Sequence, residues 1–280
     1  MDNSKIFNRA LLRKRRNRAA GEWERFNFLK LEAARRLADC VADVAREFPL
    51  VLDLGCHQGE LASVLGASSH IIGADLAQAM QPDIVCDEEL LPFASDIFDL
   101  VTSVLSLHHV NDLPGSLIQI RNTLKADGLF IAIVPGANTL IELRHSVTGA
   151  SAEHGFPLSP RVAPFVEVRD AGALMQRAGF SLPVIGSESI EVHYDTPLKL
   201  MQDLRGMGES NVLCEQHPGF MSRAHIAAIC DYYVRHFPSD EGGVTATFEL
   251  VTMTGWKPHP SQQQAAKRGS GKINLNQALG

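Results

Sequence analysis

The sequence predicts an α/β fold in which a mostly parallel sheet is covered by helices on both faces. Two observations carry this. Apolar runs of strand length alternate with stretches that can form helices, and the first of those runs, LVLDLG at 50–55, ends in an acid and a glycine. A strand that ends this way leads into a turn where backbone can approach a ligand.

Along the chain, Leu29, Ala33, Leu37, Val41 and Val44 recur at helical spacing and predict a helix within 26–47. After LVLDLG come the apolar runs HIIGAD (70–75), DIVCD (83–87), FDLVTSVLS (98–106) and GLFIAIV (128–134), each of strand length, with a helical stretch at 113–124. A further helix over 170–180 closes on Gly179, the run SLPVIGSESIEV (181–192) reads as a strand, and TATFELVTMTGW (245–256) is rich in the residues that favour strands. Residues 195–243 carry helical patterns that fit no simple crossover, so they read as a cap inserted into the core. The expected organisation is a basic arm with helices (1–48), a core (49–194), the helical cap (195–243), a final core strand (244–260) and a polar, extended tail (261–280).

The 280 residues are enough for one large or two small domains, and 45% hydrophobic with 21% charged residues excludes a disordered chain. The longest apolar run, LFIAIV, has six residues, whereas a membrane helix needs roughly 18 or more. Five cysteines, odd in number and never spaced CxxC, argue against a disulfide framework or a zinc ribbon and imply a reducing compartment. The first 36 residues hold 11 Lys and Arg against 4 Asp and Glu, on a body of net charge −13. This arm lacks the apolar stretch of a secretory signal. It suits a mitochondrial transit peptide, a peripheral contact with an anionic surface, or a solvated basic helix. No nucleic-acid-binding motif accompanies it, and no nucleic-acid partner is assigned.

The sharpest constellation is VLDLGCHQG (51–59) followed by Asp75. Gly55 and Gly59 permit close backbone approach, and Asp75, at the end of the next predicted strand, is placed to accept hydrogen bonds from ribose hydroxyls. The glycine spacing differs from the dinucleotide pattern, and Asp53 would repel a pyrophosphate while suiting a ligand ammonium group. This stretch resembles the first motif of class I S-adenosylmethionine-dependent methyltransferases. Asp87, FDLV (98–101) and LKADGLF (124–130) deepen the resemblance. It implies a Rossmann-like, mostly parallel seven-stranded sheet with a helical insertion, and S-adenosyl-L-methionine as cofactor. The implied cofactor set is Asp53, Gly55, Cys56, Gly59, Asp75, Leu76, Asp87, Glu88 and Ser106, with Asp87 facing the adenine amino group. His57 stands where the family usually has glycine, which narrows the pocket or demands an unusual backbone conformation.

A narrower resemblance spans nearly the whole chain. The runs FNRALLRKRRNRAA (7–20), DEELLPF (87–93), SLHHVNDLP (106–114), TLIELR (139–144), PRVAPF (160–165), LMQDLRGMGESN (200–211), GWKP (255–258) and KRGS (267–270) resemble the complex I assembly factor 5 family and its bacterial relatives. The resemblance implies a methyltransferase-like enzyme that modifies a protein subunit during respiratory complex I assembly, with arginine hydroxylation as the proposed chemistry of eukaryotic members. It also implies a bacterial cytoplasmic protein, associated with the inner membrane through its partner. Two alternatives stay open: a malonyl-carrier-protein O-methyltransferase of biotin synthesis, which shares LPF, DLP and TLxELR, and a non-catalytic cofactor-binding assembly module.

For catalysis the candidates are His108 and His109, which follow the strand at 98–106 on the expected substrate side, with Glu209 as partner for a guanidinium. Glu142, Arg144, Met207 and Asn211 are candidate substrate contacts, with 206–211 as the substrate side of the cleft. Cys56 reads as a small packing residue. An oxygenase would need iron, commonly held by two histidines and a carboxylate; HHVND (108–112) supplies those residue types without a familiar ligand spacing. No metal is assigned.

Overall fold

The computed structural model describes residues 5–66, 69–215, 221–263 and 269–270. Seven strands form one sheet: β1 (Leu50–Leu54), β2 (His70–Asp75), β3 (Ile84–Val85), β4 (Phe98–Val104), β5 (Leu124–Pro135), β6 (Ser181–Tyr194) and β7 (Val244–Trp256). Their spatial order is β3-β2-β1-β4-β5-β7-β6. The first five pair in parallel, whereas β7 runs antiparallel to both β5 and β6. All seven apolar runs are therefore strands of the expected doubly wound sheet. The last strand of the chain is an interior one.

Both faces are covered because alternate side chains must be buried on opposite sides. On β5, Leu129, Ile131 and Ile133 enter one core and Phe130, Ala132 and Val134 the other. The first core packs against α2 (Phe28–Ala42), α3 (Glu60–Leu65), α5 (Ile141–His154), α7 (Pro197–Gly206) and α8 (Arg223–His236). The second packs against α4 (Leu113–Thr123) and α6 (Val168–Arg177). Helix starts follow local chemistry: the side chains of Asp112, Thr196 and Ser222 accept backbone N–H bonds at the starts of α4, α7 and α8, and Pro114 and Pro197 stand in the first turns of α4 and α7.

Between β6 and β7, over the span expected to form a cap, the described residues form α7 and α8. Helix α5 has no counterpart in the sequence reading, since IELRHSVTGASAEH mixes weak helix formers with no clear apolar stripe. It forms through packing against α8. Strand β5 begins at Leu124, four residues before the expected start, with a register irregularity opposite Phe98–Leu100. The tail expectations fall mostly on residues 264–268 and 271–280, outside the described residues, as do Lys267 and Arg268 of the KRGS run.

The basic arm is not a solvated helix. Helix α1 (Arg9–Ala19), capped by Asn8, docks on the carboxyl edge of the sheet and is followed by a 3₁₀ turn through Arg25. Arg13, Lys14 and Arg18 face solvent, but Arg16 is wholly buried and Arg9 is nearly so. Arg15 donates to the carbonyls of Ser210 and Asn211, tying the arm to the cap segment.

Candidate active site

The site lies at the carboxyl ends of β1, β2 and β4, where the strand order reverses around β1, the usual ligand position in an open α/β sheet. The turn after β1 takes left-handed conformations at Gly55 (φ 73°), His57 (φ 51°) and Gly59 (φ 89°), and is pinned to β2 by the amides of Gly55 and Cys56, which donate to the Ala74 carbonyl at 2.7 and 3.1 Å. Gly55 admits no side chain, because a Cβ there would lie 2.1 Å from the Ser106 Oγ.

Three acids converge beneath this turn. Asp53 accepts from the Thr102 hydroxyl at 3.3 Å, its second oxygen has no hydrogen-bond partner, and burial pushes its carboxyl up to about 6. Asp75 accepts from the amides of Ala77 (2.7 Å) and His57 (3.1 Å). Glu88 accepts from the Ser106 hydroxyl at 2.7 Å. Burial opposes its ionisation, yet Arg9, Arg16 and Ser106 outweigh burial and hold its carboxyl below the usual range.

The cations come from the arm and α2. The Arg16 guanidinium lies 3.7 Å from Asp75 and 3.6 Å from Glu88, and donates to Ser106 at 3.1 Å. Arg9 bonds Asp87 at 2.6 Å and also Glu88. The Lys30 ammonium, fully enclosed, donates to the carbonyls of Gly55 (2.6 Å) and Val104 (2.5 Å). The sequence reading missed Arg9, Arg16 and Lys30 as site residues. The opposite charges of arm and body were the available signal for them.

Cys56 is a buried thiol whose ionisation burial suppresses, as a packing residue requires. His57 stacks on Trp23 with ring centroids 4.7 Å apart, and its Nδ1 lies 3.0 Å from the Gly55 carbonyl. Burial, then the charges of Lys30 and Arg16, keep its imidazole neutral well below the usual histidine range. A base with a depressed folded pKa contributes stability above its unfolded value, about pH 6.5, and loses it as pH falls below that. We expect His57→Asn, a residue tolerant of positive φ, to flatten the acid limb of stability by about 1.4 kcal/mol per pH unit. Denaturant unfolding at several pH values measures this; an unchanged slope would show that the ring is protonated in the fold.

Beside the turn opens a cavity of about 740 Å³, walled by Trp23, Lys30 and His57 from the arm side, by Leu140, Leu143 and Val147 of the α5 region, and by Met207, Glu209, Ser210 and Asn211 of the cap. Met207, Glu209, Ser210 and Asn211 of the 206–211 segment line this cavity. Gly208 (φ 77°) turns the chain after α7 so that Glu209 faces the 3₁₀ turn at 107–109. There His108 Nε2 lies 3.1 Å and His109 Nδ1 3.6 Å from the same Glu209 oxygen. Burial opposes ionisation of Glu209, and the two imidazoles outweigh it and hold the carboxyl well below the usual range. The structure therefore brings His108, His109 and Glu209 together. They form a cluster able to hold a metal ion, where the sequence reading assigned none.

Glu142 and Arg144 are not brought to the cavity. Glu142 accepts from the backbone and hydroxyl of Thr247, clasping α5 to β7, and Arg144 folds back onto the carbonyls of Ala137 and Thr139. The α5 face that meets the cavity carries Leu143 and Val147, and helical geometry turns Glu142 and Arg144 away from it.

A family model described as a methyltransferase domain matches residues 14–183. The arginine-hydroxylase NDUFAF5, mitochondrial, of Mus musculus is 40% identical over 286 residues, which cover 97% of this chain and 83% of that protein. The chain belongs to the methyltransferase-domain family, alongside the NDUFAF5 proteins. The Homo sapiens NDUFAF5 is likewise 40% identical over 97% of this chain and 83% of its own length. A malonyl-[acyl-carrier protein] O-methyltransferase of Methylovorus sp. (strain MP688) is 30% identical, covering 90% of each chain. Among solved structures, the YcgJ protein of Bacillus subtilis superposes with a TM-score of 0.55 at 17% identity, over 81% of this chain and 98% of its own. A SAM-dependent methyltransferase of Thermotoga maritima gives 0.52 at 17%, over 88% and 100%. These two show the fold of this methyltransferase-domain chain. No described helix is long and apolar enough to cross a membrane.

Proposed function

We propose that this methyltransferase-domain protein binds S-adenosylmethionine at the carboxyl edge of β1 and β2 and modifies an arginine side chain of a protein subunit during respiratory complex I assembly, on the cytoplasmic side of a bacterial inner membrane. The observation that carries this reading is the 40% identity to the NDUFAF5 proteins, which runs through 97% of the chain, and so through the cap segment that walls the cavity. The malonyl-carrier-protein enzyme matches over 90% of the chain at only 30% identity, so the level of identity and not the coverage favours the NDUFAF5 proteins. Glu209, ionised on the cavity wall, is a match for a guanidinium.

The chemistry of these residues suits the cofactor, while Asp53, Gly55, Cys56, Gly59, Asp75, Leu76, Asp87, Glu88 and Ser106 all lie outside the cavity lining and Arg16 already pairs with Asp75 and Glu88. Asp75 and Glu88 are carboxylates with acceptor capacity beyond the bonds they make, and Asp53 keeps one buried oxygen without a partner near the glycine turn. Asp75 would hold the ribose, Asp53 the ammonium group, and Glu88 with Asp87 the adenine side. When bound, S-adenosylmethionine supplies an electrophilic sulfonium. Arg16 pairs with Asp75 and Glu88, so ribose hydroxyls compete with a guanidinium for these acids. We expect Asp75→Asn, whose single carbonyl oxygen can accept from only one of the Ala77 and His57 amides, to weaken S-adenosylmethionine by about 10- to 150-fold in calorimetry. Equal affinity in the folded variant removes Asp75 from the pocket.

A second reading, methylation of a malonyl carrier protein, draws on the 30% identity to such an enzyme and on Arg15, Arg161 and Arg205 lining the cavity, cations suited to a carboxylate. Affinity capture of the tagged chain from its native cell, with mass spectrometry of the captured protein, separates the two. A modified arginine on a complex I subunit supports the first, and a malonyl methyl ester on a carrier protein replaces it with the second.

A further inference from the structure

We propose that His108, His109 and Glu209 form a binding site for a divalent first-row transition-metal ion, open toward the cavity. The three side chains come from two segments about a hundred residues apart, and one candidate ligand atom from each lies within 4.8 Å of the others. The separations from the shared Glu209 oxygen, 3.1 Å to His108 Nε2 and 3.6 Å to His109 Nδ1, are close to what a metal demands. With bonds of about 2.1 Å, ligands at right angles stand roughly 3 Å apart.

A second observation separates this cluster from an ordinary histidine–carboxylate hydrogen bond. The side chains of His108 and His109 are only 5% and 4% exposed. A hydrogen bond from His108 Nε2 to Glu209 leaves the Nδ1 atoms of both rings buried with no hydrogen-bond partner. Orphaned buried nitrogens of this kind are uncommon in folded proteins. His109 Nδ1 is the orphan that faces the Glu209 carboxylate, and a cation between the two supplies it with a partner. Phe7 packs edge-on against the His109 ring and Arg9 donates to the His109 carbonyl, so the ring is held in place from the arm side.

The donor set selects the class of ion. Two imidazoles and one carboxylate are too few for a closed structural zinc site, while the same set with open positions suits iron(II) or zinc in an open site. Glu209 is 23% exposed, on the cavity wall. The open positions therefore face the space a substrate side chain would enter. This inference stands on the three side chains alone; a metal ion held by Glu209 takes the place of the guanidinium contact proposed above.

The test is direct. The full-length chain, stripped with chelator, is titrated with Co(II) alone under anaerobic conditions and followed by its visible absorption, with elemental analysis after gel filtration. One equivalent is expected, with a rise in melting temperature. Second-sphere changes at metal sites already cost about 10- to 100-fold in affinity, so Glu209→Gln and His108→Asn, each checked for an unchanged metal-free melt, are expected to lose more than about 100-fold and the metal-induced rise. Should Glu209→Gln misfold, His108→Asn decides alone. Absence of bound cobalt in the parent, or equal affinity in a folded variant, overturns the site.

Discussion

Replacing Arg16 with methionine is expected to destabilise the protein by about 3 kcal/mol or more, because it leaves Asp75 and Glu88 buried without their shared cation. Glu88 keeps Arg9 and Ser106, and Asp75 keeps two amides, which sets the effect at the lower end for a broken buried pair. Arg13→Met, on the exposed side of the same helix, is the control and belongs within about 0.5 kcal/mol of the parent. Adding Glu88→Gln to Arg16→Met should recover part of the loss, since a neutral amide needs no cation. Denaturant unfolding of the four proteins measures this. If Arg16→Met costs no more than Arg13→Met, the buried guanidinium is not holding the arm.

The second large effect is expected at the turn after β1. Gly55→Ala forces a side chain into a left-handed position, at about 1 kcal/mol, and drives a methyl group into Ser106 Oγ and Cβ, at 2.1 and 2.2 Å. Overpacking of this kind costs about 1–3 kcal/mol more. The Ser106 hydroxyl is the donor to Glu88, so S-adenosylmethionine affinity should fall along with stability. Gly155→Ala, in the left-handed region at φ 67° and ψ 26° with nothing within 4 Å of the added methyl, carries the strain without the clash and is expected to cost about 1 kcal/mol and leave binding intact. Equal costs at the two positions would assign the whole effect to backbone strain.

The sheet was legible because burial on two faces writes itself into a chain as short apolar runs, and Asp53, Asp75 and Ser106 lie at or just beyond the carboxyl ends of β1, β2 and β4, where the resemblance placed cofactor contacts. Helix α5 was not legible. Its Thr, Gly, Ser and His residues have little helical preference, and it exists through contact with α8, some eighty residues on. The arm was read as outward-facing because composition records how many cations a segment holds and not where they point. Arg13 and Arg16 are indistinguishable in sequence, and only the docked helix separates them. For Glu142 and Arg144 the error was of phase, since the cavity face of α5 belongs to Leu143 and Val147. His108, His109 and Glu209 were each singled out, but as proton and guanidinium partners. Ligand spacing along the chain cannot reveal a cluster whose third member arrives from a different loop.

The interior position of β7 bears on how the protein is made. Strand β5 is complete once Pro135 has been added, yet its second edge, from Leu129 to Pro135, pairs only with residues 250–256, and β6 pairs with β7 as well. At roughly 5–20 residues per second on the ribosome, the interval between them is on the order of 6–25 seconds. Throughout it, the growing chain carries an uncovered edge of Leu, Phe, Ile and Val, a template for pairing with other chains. A premature stop between Tyr194 and Val244 therefore does not trim the sheet at its margin. It removes the strand that joins β6 to the rest and leaves two sticky edges in a product far more prone to aggregate than its length alone would suggest.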